Sequence, residues 1–294
     1  MRKILSAPVW PDSLREGSFA SSIRTKSSGG CRVALIGLPD DLGVRMNKGR
    51  PGAAEGPYGF RSALARYGAR HPALGDLPNV FDVGDVVPGM TLQETHQRVT
   101  KVTLSVLEQG LIPVGIGGGH DLTFAFVRAV AAREPERLTG IYFDAHLDVR
   151  PEEGSGMVFR RLIEECGVRR LHVFGLDPYV NSTEHRAWFV SHGGVEGGFG
   201  WDGNWPEGPL FVSLDLDVID QAHAAGVSAM NPAGWSPQRT ELWAQAAGRN
   251  PRVRCFDIME LAPRLDESGR TARLAARLFL AFLRGVSLRF EDAR

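Results

Sequence analysis

The sequence predicts an α/β protein, a mainly parallel sheet with helices on both faces. Two observations carry this. Short apolar runs alternate with longer stretches of helical periodicity, and alternating β and α segments build parallel sheets through crossover connections. Most of the short runs have apolar residues at both odd and even positions, as expected of strands covered on both faces. In chain order the runs are "CRVALIGLP" from Cys31, "NVFDVGDVV" from Asn79, "LIPVGIGGG" from Leu111, "LTGIYFDAH" from Leu138, "LHVFGLD" from Leu171, "PLFVSLDLDV" from Pro209 and "VRCFDIMEL" from Val253. Helices are predicted between them, one over 91–109. The last is predicted over 271–284, where Leu274, Leu278 and Phe282 recur four apart on one face. No repeat or linker divides the chain, so the reading is an N-terminal extension over 1–30 and a single domain over 31–294.

Composition narrows the function classes. The 294 residues are 43% hydrophobic, with 34 basic and 34 acidic side chains. That balance gives no electrostatic case for nucleic acid or an anionic membrane as partner. No run approaches the roughly 20 apolar residues of a membrane span. The basic start lacks the apolar stretch of a signal peptide. Cys31, Cys166 and Cys255 are scattered and odd in number, which suits a reducing compartment, and the expectation is a cytoplasmic protein. Two segments stand apart: 43–57, rich in glycine and basic residues, and 192–209, a glycine and tryptophan insertion read as a mobile surface loop.

Ligands of open parallel sheets sit outside the carboxyl ends of the strands, so what each strand ends in matters. The run from Leu111 delivers His120, and that from Leu138 delivers Asp144, His146 and Asp148. The run from Pro209 delivers Asp215, Asp217 and Asp220, and that from Val253 delivers Asp257 and Glu260. Side chains two apart on a strand share a face, which would group Asp144, His146 and Asp148, and also Asp215 with Asp217. Gathering so many carboxylates is very costly without cations. An oxygen-rich set with some imidazole suits manganese more than zinc, and four aspartates with two histidines suit two ions. Taken singly, each motif has a blander reading: a solvated turn for DxHxD, a dinucleotide-binding turn for "GIGGGH", a capping or magnesium-binding pair for "DLD". Their joint occurrence at strand ends favours a metal site.

"GGGHD", "DAHLD" and "SLDLDVID" resemble the three signature motifs of the ureohydrolases, the family of arginase, agmatinase and formimidoylglutamase. The resemblance runs from about Cys31 to the C-terminus. It implies a three-layer α/β/α domain on an eight-stranded, mainly parallel sheet, a homo-oligomer, and a centre of two manganese ions. One ion would be held by His120 and Asp148, the other by His146 and Asp217, with Asp144 and Asp215 bridging and Asp220 behind them. It implies hydrolysis of an amidine or guanidine by a water that the paired ions ionise near neutral pH. Glu260, in "MELAP", would face the amidinium. Asp148 would carry the proton to the leaving nitrogen.

The substrate class turns on "GSGMVFRRL". Arginases place a histidine proton shuttle where this chain has Phe159, and "SG-x-x-FR" resembles formimidoylglutamases, as do 43–57 and the stretch from Leu261. Arg150 and Arg160 together would suit a dicarboxylate, because arginine pairs carboxylates bidentately. Asn181 loosely matches the substrate-binding polar loop of arginases. The expected reaction is hydrolysis of N-formimidoyl-L-glutamate, a small amidine dicarboxylate, to L-glutamate and formamide, a step of histidine degradation. The alternatives are a ureohydrolase releasing urea from arginine, agmatine or another guanidino acid, and a catalytically silent metal-binding relative, which the full ligand set disfavours.

Overall fold

The computed structural model of the chain describes residues 4–68, 75–197 and 205–291. Among the described residues nine strands form one sheet: β1 (Leu5–Ser6), β2 (Val33–Leu38), β3 (Val80–Val86), β4 (Ile112–Gly117), β5 (Thr139–Phe143), β6 (Arg170–Phe174), β7 (Val195–Glu196), β8 (Leu210–Asp215) and β9 (Val253–Met259). Each of the seven apolar runs supplies a strand. The two further strands are only two residues long and lie at the sheet's edges, too short to leave a period in the sequence. The order is β1-β3-β2-β4-β9-β8-β5-β6-β7. Only β1 runs antiparallel to its neighbour.

Among the described residues eight α-helices lie between or after the strands: α1 (Leu42–Met46), α2 (Gly56–Leu64), α3 (Leu92–Leu107), α4 (Leu122–Ala131), α5 (Val158–Cys166), α6 (Thr183–Ser191), α7 (Pro237–Arg249) and α8 (Arg270–Glu291). Strand alternation sorts their packing. Val33 and Leu35 of β2 face a core filled by Phe60 of α2, Trp243 of α7 and Leu274, Leu278 and Phe282 of α8. Ala34, Ile36 and Leu38 face the opposite core, with Val99 and Val102 of α3, Phe126 of α4, Phe159 of α5 and Phe189 of α6. The result is three layers, helix–sheet–helix. The predicted stripe on α8 is its buried face, and Phe282 stacks on Phe256 of β9 at 4.5 Å. Among the described residues no helix is long and apolar enough to cross a membrane.

The segment read as an N-terminal extension lies along this sheet: it supplies β1, and Arg24 forms a parallel bridge to Phe81 of β3. Trp10 donates its indole N–H to Asp82 at 3.0 Å. Asp82 also takes both forks of buried Arg61, at 2.8 and 2.9 Å, so the charges taken from water compensate each other. In the glycine and tryptophan insertion, Val195–Glu196 is edge strand β7 and Trp205 is buried 6.0 Å from Trp243. The expected loop over 198–204 lies outside the described residues.

Candidate metal centre

The four central strands, β4, β9, β8 and β5, are neighbours in the sheet although far apart in sequence, and each ends beside the others' functional side chains. After β4, Gly118 turns the chain with φ 41°. A Cβ there would meet the Leu38 carbonyl oxygen at 2.2 Å, so only glycine fits. His120 follows, buried, just ahead of α4. Its Nε2 lies 3.0 Å from the Ser213 hydroxyl of β8. That hydroxyl donates to Asp257 Oδ1 of β9 at 2.6 Å, and Thr123 donates to Asp257 Oδ2 at 3.0 Å. With its own proton committed to Asp257, Ser213 accepts from Nε2–H, which makes Nδ1 the atom turned towards the carboxylates. Nδ1 sits 3.0 Å from Asp148 Oδ2, 3.1 Å from Asp215 Oδ2 and 3.2 Å from Asp144 Oδ2.

The expected grouping of Asp144, His146 and Asp148 by strand alternation is not what the structure shows. Strand β5 stops at Phe143, and the three residues meet because the chain turns. The His146 N–H donates to Asp144 Oδ1 at 2.6 Å. Likewise Asp215 ends β8, and its Oδ1 accepts from the Asp217 N–H at 2.8 Å. Such side-chain-to-backbone turns are the local habit of aspartate. His146 Nδ1 then lies 2.9 Å from Asp217 Oδ2 and 3.4 Å from Asp144 Oδ1. Of the four described non-glycine residues with left-handed backbone, two lie here, Asp148 at φ 47° and Glu260 at φ 67°. Such conformations concentrate at functional sites. The Glu260 N–H donates to the Gly118 carbonyl, and Glu260 Oε1 accepts from the His120 N–H at 2.9 Å.

Burial, then the neighbouring Asp148 and Asp217 charges, raise the Asp144 carboxyl to about 6. Asp215 is pushed well up, by burial first and by Asp217 next. Glu260 is raised to about 8, mainly by burial. The imidazoles answer this negative field. Burial opposes charge on His120, yet the Asp144, Asp148 and Asp215 carboxylates around it lift it well above its ordinary value. The Asp217 charge raises His146 strongly. Two donor sets emerge that could each hold an ion: His120, Asp144, Asp148 and Asp215, and Asp144, His146 and Asp217. Asp144 belongs to both sets; Asp215, expected to bridge as well, belongs to the first. Asp144 Oδ2 and Glu260 Oε2 are buried without a hydrogen-bond partner. Four clustered aspartates, one with an orphaned oxygen, and two imidazoles fit divalent cations in charge and in donor type.

The model of the arginase family matches residues 31–194 and 203–284. The chain belongs to the arginase family. Among relatives of this arginase-family protein, the formimidoylglutamase of Aromatoleum aromaticum is 34% identical, the match covering 89% of this chain and 85% of that protein. The formimidoylglutamase of Halobacterium salinarum is 32% identical, covering 86% and 88%. The crystal structure of Trypanosoma cruzi formiminoglutamase with Mn2+ superposes with a TM-score of 0.84 at 29% identity, covering 92% of this chain and 98% of that one. The three-layer fold expected from the motifs is thereby shown.

Two residues expected to bind substrate have partners within the protein. The Asn181 amide is spent on backbone: Oδ1 accepts from the Leu147 N–H, and Nδ2 donates to the Ala145 and Asp177 carbonyls, each at 2.9 Å. The Arg160 guanidinium lies 4.4 Å over the Trp188 ring of α6, and its Nε donates to the Val149 carbonyl at 3.2 Å. Stacking on the indole drew it inward, a pull no spacing in the sequence reveals. Arg150 is exposed and forms no ion pair among the described residues. Asp220 closes its own turn, accepting from the Ala222 N–H, and stands outside both donor sets. Phe159 is fully buried, stacked on Tyr142 at 3.6 Å and edge-on to His120 at 5.3 Å.

Sequence reasoning passed over Ser213, although it stands two before Asp215 on the same strand parity. It also passed over His96, which is buried with Nε2 2.8 Å from Asp121 Oδ2. Nothing in the sequence pairs residues 96 and 121 before the fold does.

Proposed function

We propose that the chain hydrolyses N-formimidoyl-L-glutamate to L-glutamate and formamide, with two manganese ions per chain held by His120, Asp144, His146, Asp148, Asp215 and Asp217. The observation that carries this is the convergence of those six side chains and Glu260 at four adjacent strand ends, in a chain whose relatives include formimidoylglutamases. When bound, the ions would supply Lewis acidity and a water ionised near neutral pH.

The chain's own groups do the rest. Glu260 Oε2, buried and without a partner, receives the N–H groups of the protonated amidine. Oε1 is already tied to the His120 backbone, so the carboxylate is held in one orientation and its alignment is prepaid. Asp148 has Oδ2 against His120. Its Oδ1 takes a proton from the attacking water and returns it to the α-nitrogen as the carbon–nitrogen bond to glutamate breaks, releasing formamide and the free amine. Arg150, exposed beside the metal loop, pairs a substrate carboxylate. Phe159 fills the position where a proton-shuttling histidine would stand, which speaks against arginine as substrate. We further propose that the enzyme acts in histidine degradation, in the cytoplasm, where its three unpaired cysteines stay reduced, and as a homo-oligomer.

The test is release of glutamate and formamide from formimidoyl-glutamate by manganese-loaded protein, with arginine and agmatine in parallel. Turnover of formimidoyl-glutamate alone is expected. Urea from a guanidino compound, with no formamide, would keep the metal site and overturn the substrate assignment.

A further inference from the structure

The two halves of the metal cluster are supported differently. His120 is fully buried and braced from behind by Ser213 and Asp257. The His146 side chain is 30% exposed. Its ring meets Asp144 and Asp217, and among the described residues no hydroxyl or carbonyl braces it from behind as Ser213 braces His120. Its position therefore depends on the backbone that carries it, the turn 145–147.

That turn is gripped on both sides of His146 by one side chain. Asn181 accepts from the Leu147 N–H and donates to the Ala145 carbonyl, while its second N–H anchors it to the Asp177 carbonyl. An amide is the one uncharged side chain that can accept from one peptide and donate to two others at once. The grip is fixed to the body of the protein. Asn181 directly precedes Ser182, whose hydroxyl caps α6. Phe189 of α6 is buried edge-on to Tyr142, and the Tyr142 hydroxyl donates to the Leu147 carbonyl at 3.1 Å.

We propose that Asn181 is a positioning residue for His146, holding the turn that presents the second half of the metal cluster, the half built from Asp144, His146 and Asp217. This rests on the two-ion reading above. It assigns Asn181 a place in metal assembly and none against the substrate. Without the amide, the Leu147 N–H loses its partner and the Ala145 carbonyl keeps only the Asp177 N–H, at 3.0 Å, so the Leu147 side of the turn is freed and His146 can swing away from Asp217. The set around His120 keeps its own brace.

The experiment measures manganese content per chain after dialysis, and manganese titration followed by electron paramagnetic resonance, in wild type, Asn181→Ala and Asn181→Asp. The aspartate variant keeps the volume and the acceptor for Leu147 but loses both donors, so it separates donation from simple space-filling. A Tyr179→Ala variant, at an exposed neighbouring position, serves as control. Melting of the metal-free proteins checks that each variant folds. The expected result is that both Asn181 variants retain one tight ion while the second weakens by roughly 10- to 100-fold, the usual effect of removing an outer-shell partner. The spectrum should change from that of an exchange-coupled pair to that of isolated manganese, and Tyr179→Ala should match wild type. Wild-type stoichiometry and coupling in both Asn181 variants would overturn the proposal, and so would equal weakening of both ions. Fewer than two ions in the wild type would instead sink the two-ion reading beneath it, visible before any variant is made.

Discussion

Replacing Asp257 by asparagine should make the metal-free protein more stable at neutral pH and the metal site worse. Asp257 is fully buried, and burial raises its carboxyl from an ordinary 3.8 to about 6. In the folded chain it therefore holds a proton that the unfolded chain releases between about pH 4 and 6. Folding stability must fall as pH rises through that window, and above it the full cost of ionising a buried acid is present. At about 1.4 kcal/mol per tenfold, the shift amounts to roughly 3 kcal/mol. Asparagine has the same shape and does not ionise. Its oxygen can accept from Ser213 and its amide can donate to Thr123, so neither hydroxyl is stranded. Urea unfolding of EDTA-treated wild type and variant, followed by tryptophan fluorescence from about pH 4.5 to 7.5, reads the difference. The variant's advantage should grow with pH by about 2–3 kcal/mol and level off near neutrality. An advantage that does not change with pH, or that shrinks as pH rises, would refute the argument. The functional cost appears in the metal: a neutral Asp257 polarises Ser213 and His120 less, so manganese affinity should drop by roughly 10- to 100-fold.

Other substitutions separate the remaining parts. Glu260→Gln keeps an oxygen for the His120 N–H but loses the charge facing the amidine; kcat/KM should fall roughly 10- to 150-fold, as for a hydrogen bond to a charged group, with manganese content unchanged. Arg150→Ala should raise KM for formimidoyl-glutamate about tenfold or more with kcat close to wild type. Arg160→Ala should instead act on stability, losing about 0.5–2 kcal/mol of packing over Trp188 by thermal melting. Stripping the metals should lower the melting temperature by roughly 5–10 °C, and manganese should restore it, since ions that bind only the folded chain add their binding energy to its stability.

The seven main strands and the long helices were legible because burial leaves a period: both parities apolar in Val33–Leu38, and every fourth residue apolar along α8. The ligand types were legible because clustered aspartates have few other uses. The reason for their grouping was misread. Strand alternation would align Asp144, His146 and Asp148, whereas turns that begin after Phe143 bring them together. Strand order was not legible, and with it went the Asp257–Ser213–His120 chain, which exists only because β9 lies between β4 and β8. The partners of Arg160 and Asn181 were not legible for one shared reason. A polar side chain near a site can face a ligand or hold the scaffold, and only its partners tell which.

The same strand order governs how the molecule can be made. As the chain leaves the ribosome, β4 and β8 are complete long before β9, yet neither pairs with the other; each pairs with β9 on its inner side. Until residues 253–259 emerge, a nascent chain holds two half-sheets with open, apolar edges, the state most exposed to association with other chains. Insertion of one strand then closes the sheet and brings His120 beside Asp215 in a single event. A chain broken off before β9 would thus lack more than Glu260: it would have no floor on which a metal cluster could assemble, and it would present two sticky edges for quality control to find.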